Sequence, residues 1–484
     1  MFLRDLNDVR GVFDSLGGSF VGVGMTAFSR IIPAYFIHPY YIVALRKTCD
    51  IHLLREKGHI FCLEAEREEP IREQHATSTH LLAHPLARDF LSTIPNPKHL
   101  LLYQGYPELE SLAQAEGWGL LANQASLRMR VGERAFFKRL LTDLKLPMIP
   151  GGIFPIDVIR THKYKDWAET MGPRFVVQLP DIHKGGGKGT FFIHSGSSYK
   201  GLQERLKYST WRDTALSSVS IHQQVEGIAV SMAICLTRNG ILFSGPQRQL
   251  IDLPYCKGLK GDGVFCGHVW GEPAWPSSLT QQVHTQARMI GDHLAALGYK
   301  GIAGIDFMID KKSQRVYPIE LNPRFTGAFP MLSLLHIKKG LIPLEAFHML
   351  EFLGLPYEAD VDQLNACYAE GVRGSHILLF LLSGGKDGLI TELKAGLYEL
   401  DQDEKKISFV KGAIDYGEIE NERQFIVIDG PPDTAGETLW ASDPHYRLCR
   451  LLFSCPVADD AGVLSVRALK AVEAVYGSIF RGSS

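Results

Sequence analysis

The sequence predicts an α/β protein of several domains, and three observations carry that prediction. The first 125 residues alternate short apolar runs with helix-like stretches, the pattern of a small α/β unit. A glycine-rich loop separates two apolar, β-branched and aromatic runs between residues 174 and 193. Residues 301–327, GIAGIDFMIDKKSQRVYPIELNPRFTG, read as a hairpin with acidic residues on one face. At 484 residues the chain has room for roughly two to four domains with sizeable cores.

Composition narrows the class. Hydrophobic residues make up 45% and charged residues 21%, and the net charge is −2. These are ordinary values for a globular protein and offer no basic surface for nucleic acid or an anionic membrane. The run of large apolar residues at 377–382 is far too short to span a bilayer. No nucleic acid and no membrane are therefore expected as partners. Eight scattered cysteines without a C-x-x-C pair fit reduced, mostly buried thiols. The N-terminus MFLRDLNDVR has no apolar signal core, so a cytoplasmic location is expected.

In the first unit, strands are predicted at 19–23, 41–45, 59–63 and 100–103. Gly22-Val23-Gly24-Met25-Thr26-Ala27 has the form G-x-G-x-x-A of a dinucleotide fingerprint. No acidic residue follows at the distance a ribose contact needs, because Asp50 comes late, and a tight turn is the preferred reading. Residues 126–144 read as one amphipathic helix, with Leu127, Val131, Phe136, Leu140 and Leu141 near one face and Lys138 among them.

A strand at 174–180 then leads into the glycine loop. Gly185, Gly186, Gly187 and Gly189 let backbone N–H groups approach a polyphosphate, and Lys184 and Lys188 add countercharge. Lys188 is followed by glycine, so this is not a G-K-[ST] loop, and a flexible surface hairpin is the competing reading. Residues 218–236 look like two strands joined at Glu226-Gly227, and 240–252 like a strand carrying Arg248. A capping-box-like start at Ser278 opens a helix ended by Gly298. Beyond residue 338 a helix to 353, a strand at 371–382, two or three more strands and a last helix at 466–476 are predicted.

The hairpin at 301–327 carries the chemistry. Side chains alternate along a strand, so Ile305, Phe307 and Ile309 share a core face with Ile319 and Leu321. Asp306, Glu320 and Asn322 point the other way, with Arg324 just beyond. A loop of about five residues puts Asp306 opposite Glu320. Two carboxylates so placed repel unless a cation lies between them, and hard oxygen ligands suit Mg²⁺. Arg324 adds a guanidinium fork for a phosphoryl group.

This D-F strand followed by E-x-N-x-R resembles the metal-binding hairpin of the ATP-grasp superfamily, and the glycine loop about 120 residues upstream resembles its lid loop. The resemblance covers residues 126–340 well and the flanks by architecture. It implies an ATP-grasp fold: a Rossmann-like pre-ATP-grasp domain at 1–125, a lid at 126–225, a core at 226–340 and a C-terminal α/β extension at 341–484. It implies ATP and Mg²⁺, and joining of a small-molecule carboxylate to an amine through an acyl phosphate; a homodimer is expected. In this reading Asp306, Glu320 and Asn322 hold the metal, while Arg324 and Lys188 stabilise the phosphoryl group. Lys138, Gln178, Lys184, Gly185, Gly186, Gly187, Gly189 and Thr190 bind the phosphates, and His222, Gln223 and Val225 line the adenine hinge. Arg248 and Arg373 are the candidate substrate clamps.

The sequence departs from the family pattern at three places. Gln178 stands where most members carry lysine, Ala229 where many place a ribose-binding glutamate, and Gly304 where some amino-acid ligases carry arginine. Two alternatives stay open: a carboxylase or carbamoyl-phosphate-type enzyme activating bicarbonate, and a nucleotide-binding regulator without catalysis.

Overall fold

Five strands of the N-terminal unit form a parallel sheet in the order His59–Cys62, Tyr40–Ala44, Ser19–Gly24, Lys98–Leu101, Gly119–Leu120. The structure is a computed structural model describing residues 1–67, 77–179, 189–208, 210–211, 214–258, 262–271, 276–380, 394–401, 406–430, 447–459 and 461–479. The central strand Ser19–Gly24 is buried throughout, as expected of a parallel strand covered on both faces. A Cβ on Gly22 would lie 2.3 Å from Tyr40 Oη and 2.8 Å from Arg30 Cβ. The chain then enters two short 3₁₀ turns, Phe28–Arg30 and Ile32–Tyr35. The glycines here make room for Arg30, which is the tight-turn reading of G-x-G-x-x-A.

A second sheet of four antiparallel strands runs Gly151–Pro155, Ser218–Gln223, Phe175–Gln178, Thr190–Ile193. Trp167 and Tyr199, from the helices Tyr164–Met171 and Gly196–Arg205, pack with Phe175 and Ile221 into its own small core.

The hairpin strands Gly301–Asp310 and Val316–Asn322 form the edge of an eleven-stranded sheet. It continues through Gly227–Thr237, Gln247–Ile251, Phe265–Trp270, Gly374–Phe380, Arg447–Phe453, Gln424–Ile428, Gly396–Leu400 and Ile407–Lys411, with Gly240–Phe243 paired beside Gly227–Thr237. Strands from both sides of residue 340 thus share one sheet. Around the hairpin, one face packs on the helix Ser277–Ala296 through Val283, Ala287, Ile290 and Leu294. The other meets the helices Phe329–Lys338 and Leu344–Leu353 together with the N-terminal unit.

Four local expectations are corrected. The helix at 126–144 is two, Ala125–Gly132 and Arg134–Asp143, with Glu133 extended between them (ψ 135°). Gly132, a poor helix former, passes close to Pro323. The strand at 240–252 is interrupted at Pro246, which lacks the N–H a ladder needs. The helix at 338–353 begins only at Leu344, because Gly340 (φ +77°) ends one helix and Pro343 precedes the next. The helix after residue 276 starts from Pro276 without a side-chain cap, although Gly298 ends it in the left-handed region (φ +82°).

Candidate active site

The hairpin's register is fixed locally. Asp310 caps the turn, its Oδ1 accepting from Lys312 N (2.8 Å) and Ser313 N (3.3 Å), and Gln314 takes the left-handed conformation (φ 56°). Asp306 consequently pairs with Glu320, and Gly304 with Asn322. A bulge follows, since Phe307 pairs with Pro318 and leaves Ile319 outside the ladder. Ile319 was expected on the core face; it is half-buried, and Pro318 takes the buried place beside Val316. Pro318 has no N–H to give the ladder, which is where the strand shifts.

Four side chains converge on the open face. Asp306 Oδ2 accepts from Asn322 Nδ2 (2.9 Å) and its Oδ1 from Gln249 Nε2 (2.9 Å). Arg324 donates through Nη2 to Asn322 Oδ1 (2.8 Å) and through Nη1 to Tyr103 Oη (2.7 Å) and Phe325 O (2.9 Å). Its guanidinium also lies 5.2 Å from the centre of the Tyr103 ring. Burial, and secondly the Glu320 carboxylate, push the Asp306 carboxyl well above the ordinary carboxylate range; Arg324 and the two amide donors oppose this only in part.

A divalent cation fits this donor set. Asp306 and Glu320 are the carboxylates it would bridge, relieving their repulsion. Asn322 turns its amide nitrogen to Asp306 and its oxygen to Arg324, so acting as a ligand requires its amide to swing away from Arg324. Among the described residues no group of three or more His, Cys, Asp or Glu side chains is placed to hold a metal. A cation here would complete its shell with water and substrate oxygens, the habit of Mg²⁺.

The lid sheet gathers a second group. Gln178 pairs with Thr190 across the ladder, with Nε2 3.4 Å from Thr190 Oγ1. Gln178 Oε1 accepts from Arg134 Nη1 at 2.8 Å. Arg134 was not anticipated. It lies four residues before Lys138, one turn along the same helix face, and this spacing was the available signal. Lys138 Nζ reaches within 3.6 Å of the position a Cβ on Gly152 would take. His222 approaches Ser220 Oγ through Nε2 (2.6 Å), while its buried Nδ1 has no hydrogen-bond partner among the described residues. Burial first, then the Lys138 and Arg134 charges, lower its pKa, so the ring is neutral.

Gln223 N donates to Pro150 O (2.9 Å), and Val225 is half-buried where the chain crosses to the large sheet. Lys311 N donates to Glu226 O (3.1 Å), which ties that crossing to the hairpin turn. Lys184, Gly185, Gly186, Gly187 and Lys188 lie outside the described residues. Gly189 is described, and its carbonyl accepts from Leu179 N at 2.9 Å.

The two arginine clamps sit elsewhere. Alternation along Gln247–Ile251 puts Arg248 on the sheet face opposite Gln249 and Asp306. Arg248 is buried and donates to Asp459 O (2.6 Å) in the C-terminal segment. Arg373 is exposed beside Gly271.

Comparison with known proteins places the fold. The family model described as an ATP-grasp domain matches residues 186–328. No curated protein matches the sequence. Among solved structures, the biotin carboxylase domain of 2-oxoglutarate carboxylase from Hydrogenobacter thermophilus has a TM-score of 0.57 at 12% identity, covering 91% of this chain and 87% of that one. Phosphoribosylamine–glycine ligase from Thermotoga maritima has a TM-score of 0.55 at 12% identity, covering 96% and 98%. Biotin carboxylase from Campylobacter jejuni has a TM-score of 0.56 at 11% identity, covering 92% and 89%. The fold is that of ATP-grasp proteins. The chain carries an ATP-grasp domain, and that fold accounts for most of its length. Among the described residues no helix is long and apolar enough to cross a membrane.

Proposed function

We propose that the protein is an ATP-dependent ligase that activates a carboxylate as an acyl phosphate and joins it to an amine. The observation that supports this most directly is the cross-strand pair Asp306–Glu320, with Asn322 linking Asp306 to Arg324. Phosphoryl transfer needs positioning and charge neutralisation more than covalent help. Bound Mg²⁺ and ATP supply the neutralising charge and the phosphoryl group.

The chain's own residues do the rest. Asp306 and Glu320 would hold the cation, whose charge would offset the burial and carboxylate repulsion that raise the Asp306 pKa. Tyr103 and Phe325 hold Arg324 still, so its remaining N–H groups act as preorganised donors to phosphoryl oxygens. Arg134 and Lys138 add positive charge at the lid, next to a neutral His222. Lys184, Lys188 and the glycines between them cover the phosphates and keep water from the acyl phosphate.

The test is a product screen. Purified protein with ATP and Mg²⁺ is incubated with amino-acid pools, and ADP, phosphate and new amides are measured by mass spectrometry. Amide formation that disappears in Glu320→Ala is the expected result. ATP turnover that needs bicarbonate instead would move the reading to a carboxylase, and ATP binding without turnover under any condition would sink it.

A further inference from the structure

Beside Asp306 the large sheet carries buried polar side chains that the proposed reaction does not use. Ser231 pairs in register with Asp306 on one side and Gln247 on the other. Gln249, which donates to Asp306, pairs with His268, and His268 pairs with His376 on the next strand. Ser231 Oγ is 3.3 Å from His268 Nε2. His268 Nδ1 is 3.0 Å from His376 Nε2, and His376 Nδ1 is 3.2 Å from Arg450 Nη1. Relative exposures of Ser231, His268, His376 and Arg450 are 5%, 4%, 0% and 5%.

These contacts have one consistent direction. A guanidinium can only donate, so His376 Nδ1 accepts from Arg450. A neutral imidazole has one donor and one acceptor nitrogen, which puts the His376 proton on Nε2, donated to His268 Nδ1. His268 therefore carries its proton on Nε2 and gives it to Ser231 Oγ. Burial and the Arg450 charge keep both rings neutral, lowering His268 to about 3 and holding His376 well below the ordinary imidazole range. Arg447 acts on His376 in the same sense. Ser231 spends its oxygen as an acceptor, and among the described residues its own hydrogen enters no second hydrogen bond. The chain ends in a buried, unspent O–H next to Asp306.

We propose that Arg450, His376 and His268 are positioning residues that fix Ser231 as a one-way hydroxyl donor to an anionic oxygen of the ligand held at Asp306. The direction of the chain stands on geometry alone; its use on a ligand rests on the ligase reading. The ligand oxygen must be acceptor-only, belonging to a carboxylate or a phosphoryl group. A donor aimed before the ligand arrives stabilises such charge without reorganising. The strands Gly374–Phe380 and Arg447–Phe453, which extend the sheet beyond the core, supply two of the chain's four members.

Long-range proton–nitrogen NMR of the full protein labelled at histidine nitrogens tests the direction. His268 and His376 should both be neutral with bare Nδ1, and Ser231→Ala, which removes one oxygen, should move the His268 Nε2–H signal and so identify it. An Nδ1–H tautomer or a doubly protonated ring at either position overturns the chain. For the ligand, Ser231→Ala should weaken one interaction about tenfold or more, the loss of one charge-assisted hydrogen bond. A raised KM for the acid assigns the carboxylate, and weaker binding of magnesium adenylyl imidodiphosphate assigns the phosphoryl group. If no acid is turned over, the ligase reading fails by itself while the tautomers and the nucleotide analogue still score the inference. Unchanged nucleotide affinity with unchanged or absent acid turnover overturns the donor role.

Discussion

The large sheet bears on two carboxylate pairs that differ in what surrounds them. Asp306 and Glu320 face each other across the hairpin, and among the described residues no guanidinium touches either one; Arg324 reaches Asp306 through Asn322. Asp50 Oδ2 accepts from Asp429 N (2.9 Å), and the Asp429 carboxylate pairs with Arg447 and, at 3.5 Å, with Arg450. In both, burial and a second carboxylate raise one member, Asp306 in the first and Asp50 in the second. The second pair has its countercharge built into the fold. The first leaves its countercharge to come from outside, which is how a ligand site differs from a structural ion cluster.

The comparison breaks first at Glu320. Glu320→Ala should lower ATP-dependent turnover by at least about a hundredfold, yet raise the cation-free melting temperature and erase any Mg²⁺-induced gain. A variant that kept its Mg²⁺ response would place the cation elsewhere. Asp429→Asn should do the opposite: leave buried Arg450 and half-buried Arg447 short of a counterion and cost about 3–5 kcal/mol of stability in denaturant unfolding. An unchanged midpoint would mean the cluster is not structural.

Glu345 is a third case, a lone buried carboxyl raised by burial to about 7 from an ordinary 4.5 and hydrogen-bonded to Ser333. Because its folded pKa is raised, its contribution is present below the unfolded pKa and lost as pH rises through about 7. The full loss is roughly 3 kcal/mol. Glu345→Gln should flatten the fall in melting temperature between pH 5 and about 8; a parallel fall in variant and parent would assign the effect to other groups. The smallest effect concerns Tyr103→Phe, which keeps the ring over Arg324 but removes the hydroxyl it donates to. Turnover should drop about tenfold with a stability change near 1 kcal/mol. No drop would show that the N-terminal unit does not position Arg324.

Much of the site was legible because its logic is local. Asp306, Glu320, Asn322 and Arg324 fall within 19 consecutive residues, and strand alternation plus a five-residue turn suffices to bring them together. The first unit's strands were legible for a similar reason, since a parallel sheet buried on both faces writes itself as continuous apolar runs. The errors arose where a single Gly or Pro acts through its neighbours. Gly132 against Pro323, Pro246 within a ladder and the Pro318 bulge each changed an element that periodicity alone had left intact. Arg248 shows the same limit: its type suggested an anion clamp, but one step of alternation turns it from Asp306 toward Asp459.

The amino-acid sequence by itself determined the α/β class, the acidic hairpin and the pairing of Asp306 with Glu320, because hydrophobic periodicity and turn chemistry act over a few residues. Only the tertiary structure decided what stands around that hairpin. Tyr103 meets Arg324 across 221 residues, Arg134 meets Gln178 across 44, and His268 meets His376 across 108. These contacts depend on which strands become neighbours and on which face each side chain then shares. No local pattern encodes that, because it is settled by the packing of the whole chain.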